Sequence, residues 1–135
     1  MERFLGRYSN YVYAIFRIVF GFVFLLYGTQ KMFGWPPSGR PAATLAGLMM
    51  VAAVIELVGG FLITIGFFSS VVAFIASGEM AVAYFMSHQP KGALPVQNDG
   101  VAAVLFCFGF LYIASRGSGV WSVDSIFRCG PKSDS

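Results

Sequence analysis

The sequence predicts an all-α integral membrane protein, a four-helix bundle, and three observations lead there. Hydrophobic residues make up 57% of 135 positions and charged residues only 11%, against about half and about a quarter in soluble domains. Apolar stretches of membrane-crossing length are separated by breaks rich in proline, glycine and serine. Inside those stretches only three residues carry charge, Arg17, Glu56 and Glu79. A soluble domain of this length has too little interior to hide so many Phe, Val, Leu and Ile side chains, whereas lipid removes that cost.

The first helix is expected at about 11–30, apolar except for Arg17; at 1.5 Å per residue it spans about 30 Å, the thickness of a hydrocarbon core. Arg3 and Arg7 before an apolar run resemble the start of a signal peptide. Arg17 interrupts the run, however, and no A-x-A site follows, so the segment reads as a retained span. Trp35 and the Pro36-Pro37-Ser38-Gly39-Arg40-Pro41 run end it in an interfacial loop.

The stretch 42–87 would reach roughly 70 Å as one helix, twice the bilayer, so it must turn back once. A hydropathy window alone would select Leu57 to Gly78, which strands Ala43 to Ile55. A turn at Gly66-Phe67-Phe68-Ser69-Ser70 instead gives a second helix at about 43–65 and a third at about 71–87. A polar loop from His88 to Gly100 follows. The fourth helix, about 99–115, is short unless Asp99 and Gly100 form its first turn and the bilayer thins locally. Residues 116–135 read as a polar tail, and the whole chain, 1–135, as a single transmembrane domain. Small residues at four-residue spacing, Ala43 with Gly47 and Ala73 with Ser77 and Ala81, together with Gly59-Gly60, predict close helix contacts.

Four crossings place both termini on one side with Arg3, Arg7, Arg116, Arg128 and Lys132, against Lys31, Arg40 and Lys91 opposite. The positive-inside rule then makes the termini cytoplasmic. The net charge of +3 forms no basic block with interleaved aromatics, which argues against nucleic acid as a partner. Cys107 and Cys129 stand at no disulfide or zinc spacing. Phosphate loops, dinucleotide fingerprints and nucleophile elbows are missing from the sequence, and one histidine cannot supply bis-histidine haem ligation. Neither haem nor metal is therefore expected from this chain alone.

Two groups of residues are candidates for chemistry. Counted from the cytoplasmic helix ends, Arg17, Glu56 and Glu79 fall at roughly 9 to 14 Å depth, so one cation and two carboxylates are expected in one layer. That cluster is open to two readings: a polar clasp fixing helix packing, or a pair of carboxylates sharing one arginine, one of them protonated and able to relay protons or bind a polar group. Near the opposite face Gln30, Lys31, His88, Asn98 and Asp99 are expected to converge on a binding mouth. One His with one Asp is too few ligands for a metal. The many phenylalanines could wall a quinone pocket or simply face lipid. Shortness and the lack of repeated halves argue against a transporter.

In order along the chain, R-I-V-F-G-F-V-F-L-L-Y-G-T-Q-K (17–31), E-L-V-G-G-F-L-I-T-I-G (56–66), M-A-V-A-Y-F-M-S-H (80–88) and G-S-G-V-W-S-V-D (117–124) resemble the DoxX family of small bacterial membrane proteins. The resemblance implies a four-helix bundle in the bacterial inner membrane and an accessory role in a respiratory or quinone-linked redox complex. Quinone would be the cofactor, and other membrane subunits or further copies of the chain the partners alongside lipid. The alternative is a non-catalytic structural or assembly protein whose Arg/Glu cluster only fixes packing. Where the family often carries an acid after Asn-x-Gly, this chain has Asn98-Asp99-Gly100 followed by Val101.

Overall fold

The computed structural model describes residues 2–35, 37 and 47–127, and every regular element among them is helical. Three helices are long and apolar enough to cross a membrane: α1 (Arg3–Phe33), α2 (Leu48–Ile65) and α3 (Ser69–Lys91). A fourth, α4 (Val101–Arg116), is shorter and equally apolar. The fold is therefore the all-α membrane bundle expected. Arg40, Arg128, Cys129, Lys132 and the expected start of the second helix at Ala43 lie outside the described residues, as does the Ala43 end of its Ala43/Gly47 spacing.

Each helix end has a local cause. Gly34 takes the left-handed conformation (φ 72°) and its N–H bonds Gln30 O at 3.0 Å, closing α1. Gly66 (φ 75°) ends α2 in a Schellman motif, with Phe67 N on Leu62 O at 2.9 Å and Gly66 N on Ile63 O at 3.1 Å. The expected turn is thus present but tighter than read: Ser69 and Ser70 already belong to α3, and Phe68 (φ 50°) makes the second left-handed step.

Two expectations near α4 change. Asp99 is left-handed (φ 58°) and cannot start the helix, which begins at Val101. The extra length comes instead from a separate helical turn, Pro95–Asn98. The tail is not a loose polar end: after Arg116 the chain folds back under the bundle and forms α5 (Val123–Phe127).

The bundle is built from two antiparallel pairs. In α1/α2, glycines let backbones touch: a Cβ on Gly28 would stand 2.6 Å from Leu57 N, and one on Gly60 2.5 Å from Leu25 N. In α3/α4, Ala73 and Ser77 are buried, and the Ser77 hydroxyl donates to Cys107 O of α4 at 2.7 Å. Between α1 and α4 the gap is filled by rings. Phe20 and Phe24 of α1 meet Phe106 and Phe110 of α4 at centroid separations of 4.6 to 5.9 Å, and Gly109 leaves room for Phe20. These rings form the core, so the phenylalanines here are packing residues.

Candidate functional site

Arg17 is fully buried (0% exposed), its hydrogen bonds go to backbone carbonyls, and Tyr13 and Asp124 are its electrostatic neighbours. Its Nε donates to Ile63 O at 3.0 Å, and its two amino groups donate to Thr64 O (3.4 Å), Val120 O (3.0 Å), Trp121 O (2.8 Å) and Ser118 O. A guanidinium has five N–H donors, so the set is saturated. Ile63 and Thr64 supply C-terminal carbonyls of α2, where the helix dipole favours a cation. The 117–124 segment supplies the rest because Asp124 anchors it: its carboxylate accepts from Phe68 N (2.9 Å) and from the Ser118 hydroxyl (2.7 Å), and its N–H bonds Gly66 O (3.0 Å). Tyr13 adds a hydroxyl bond to Gly117 O at 2.5 Å. Arg17 is a clamp that ties α1, the end of α2 and the returning tail.

The expected trio is therefore split. Arg17 sits level with Ile63, and Glu56 lies seven residues further along α2, about 10 Å away along the axis at 1.5 Å per residue. The depth count took Tyr11 as level with the end of α2, whereas Arg17 stands beside Ile63, only two residues before α2 ends at Ile65. The basic partner of Glu56 is Lys31, whose Nζ forms an ion pair and hydrogen bond with Glu56 Oε2. Side chains on a helix lean toward its N-terminus, so Lys31, one turn beyond Gly28, reaches back to the residue that Gly28 packs against.

Glu56 is 1% exposed and lies in a π-helical turn, Ile55–Gly59, the kind of helical irregularity that often marks a functional position. Glu79 on α3 lies in the same layer, about as far beyond the Gly66 turn as Glu56 lies before it, and interacts electrostatically with both Glu56 and Lys31. Among the described residues, Glu56 Oε1 and Glu79 Oε1 are buried without a hydrogen-bond partner. The layer thus holds one ammonium, two carboxylates and two unused acceptor oxygens within the membrane span. It can take up donors such as hydroxyl groups or protons, while Lys31 can offer hydrogen bonds to a carbonyl.

The expected mouth is only partly assembled. Asn98, 1% exposed, donates to Tyr84 Oη (3.2 Å) and Gly92 O (3.0 Å) and accepts from Gly100 N (2.9 Å), while His88 Nδ1 lies 3.1 Å from Asn98 O. These contacts knit the α3–α4 loop to α3. Asp99 points outward, Gln30 is half-buried near the end of α1, and Lys31 has turned to Glu56. Among the described residues no three His, Cys, Asp or Glu side chains cluster as metal ligands would. Sequence reasoning missed Tyr13, Tyr84 and Asp124; for Asp124 the 117–124 motif was the available signal.

With this geometry established, comparison with known proteins decides the family. The DoxX family model matches residues 12–89. The chain belongs to the DoxX family. It is also 41% identical over 128 residues, spanning 91% of this chain and 96% of the relative, to an "Uncharacterized protein" of Haemophilus influenzae. No solved structure matches it significantly. In this DoxX chain the first motif holds both Arg17 of the clamp and Lys31 of the membrane layer, and the second opens at Glu56 and ends at the Gly66 turn. The closing motif, beyond the matched region, is the segment whose carbonyls enclose Arg17.

Proposed function

We propose that this DoxX protein is an accessory subunit of a quinone-linked membrane redox complex in the bacterial inner membrane, with both termini cytoplasmic. The observation that carries the reading is the Lys31–Glu56 pair beside Glu79, with unpartnered carboxylate oxygens buried in the span. A ring bearing two oxygens fits these groups. Lys31 would hold a carbonyl oxygen, and Glu56 and Glu79 would receive hydroxyl donors. When bound, a quinone supplies two-electron chemistry tied to proton uptake and release. The chain's own part is to orient that head group and to hold or pass protons at Glu56 Oε1 and Glu79 Oε1, with electrons supplied by a partner subunit.

The test uses inverted membrane vesicles from a strain lacking the chain, complemented with wild type, Glu79→Gln or Lys31→Met. Quinone-linked electron flux is expected to return with wild type and to stay low with either variant when expression is equal. Equal flux in all four membranes overturns the proposal.

A second reading, a non-catalytic assembly or structural protein, is favoured by one observation: Arg17 spends all its donors on backbone carbonyls, as a packing device does. It predicts that Glu79→Gln keeps full function while Arg17 variants lose it.

A further inference from the structure

At the end of the bundle that carries the start of α1, a cleft of about 440 Å³ opens outward between α1 and α4. Its walls are mainly apolar, from Leu5, Val12, Phe16 and Tyr112, and Arg116 also lines it. The Arg116 guanidinium lies 4.3 Å over the Tyr13 ring and donates to Tyr112 Oη (3.3 Å) and Asn10 Oδ1 (3.2 Å). These partners are neutral, and among the described residues no carboxylate lies within 4.0 Å of Arg116. Asp124 at the same end is committed to Phe68 N and Ser118. Arg3 and Arg7, on the turns beside the cleft, add positive charge with no ion-pair partner among the described residues.

We propose that this cleft binds one anionic phospholipid, its acyl chain along Val12 and Phe16 and its phosphate on Arg116. Three features select that occupant. The cleft opens where an apolar span gives way to basic residues, the level at which headgroups meet a bundle. Its walls are the side chains of two helices, whose backbone groups are already paired, so they offer no edge for an extended peptide. An apolar slot lined by one cation without a counter-ion matches a lipid in both parts, whereas a soluble anion would use only the arginine. This site is distinct from the Lys31–Glu56 layer and does not depend on the redox reading.

The test is native mass spectrometry and thermal melting of the whole purified protein in a neutral detergent, with phosphatidylglycerol or phosphatidylcholine of identical chains, or inorganic phosphate alone. Phosphatidylglycerol is expected to be retained and to raise the melting temperature, with phosphatidylcholine and phosphate far weaker. Arg116→Gln should weaken phosphatidylglycerol retention by about tenfold or more, the worth of one charge-assisted bond. Gly6→Phe should abolish it, because Gly6 lines the cleft and no heavy atom lies within 4 Å of a Cβ built there, which leaves space for the ring. Equal retention of the two lipids overturns the proposal. So do an equal effect of phosphate alone, unchanged retention in both variants, or occupancy of the cleft by a second copy seen as a dimer that Gly6→Phe dissolves.

Discussion

Replacing Arg17 by lysine keeps the charge and removes the planar five-donor fork. An ammonium has three donors, so at least two of the five carbonyls, those of Ile63, Thr64, Ser118, Val120 and Trp121, lose their partner. Hydrogen bonds to a charged group contribute about 1.5–3 kcal/mol each, so the clamp weakens by about 3–6 kcal/mol. The loss does not pass wholly into global unfolding. Three of the carbonyls belong to the 117–124 segment, which can swing into water and satisfy them there, so the expected event is local opening of that segment. The amides that report it are Asp124 N, bonded to Gly66 O, and Phe68 N, bonded to the Asp124 carboxylate. Hydrogen exchange at both should quicken by roughly a hundredfold or more, since about 1.4 kcal/mol is one decade. Glu56→Gln serves as the control and should leave both amides unchanged, because Glu56 is no partner of Arg17. Exchange in Arg17→Lys within threefold of wild type would refute the clamp. Quickened exchange in Glu56→Gln would instead restore the single-layer trio.

Other outcomes follow from the same contacts. Lys31→Met leaves Glu56 buried with no cation and should cost about 3–5 kcal/mol, whereas Lys31→Met with Glu56→Gln should recover most of it, as read by denaturation in detergent. Gly28→Ala drives a methyl into the α2 backbone and should destabilise the α1/α2 pair by about 1–3 kcal/mol, while Gly78→Ala, with nothing within 4 Å, should be neutral or slightly stabilising. Asn98→Ala removes bonds to Tyr84, Gly92 and Gly100, so exchange at Gly100 should rise without loss of helix content by circular dichroism.

The membrane class, the all-α bundle and the Gly66 turn were legible because they depend on composition, length and left-handed glycine, all local properties. The partners of the charges were not. Arg17, Glu56 and Glu79 were grouped by counting inward from assumed helix ends, but those ends are not level: Arg17 stands beside Ile63, two residues from the end of α2, and so outside the layer. Lys31 was assigned to the mouth by its Cα position, although a long side chain leaning toward the helix N-terminus reaches a turn lower. The tail was misread because its function lies in backbone carbonyls, which every residue has and no pattern advertises. The π turn that contains Glu56 likewise has no distinct composition. Asn98 was expected at a binding mouth, and its contacts are those of a loop anchor.

The central claim is that the Lys31–Glu56–Glu79 layer serves a quinone-linked complex. The most direct measurement is purification of wild type and of Glu56→Gln with Glu79→Gln in a mild detergent, followed by mass spectrometry of every quinone and protein that remains. The account predicts quinone or redox subunits with wild type and their depletion from the double variant, both proteins being equally helical. Wild type carrying only ordinary lipid, or a double variant that retains the same quinone and subunits, would contradict it.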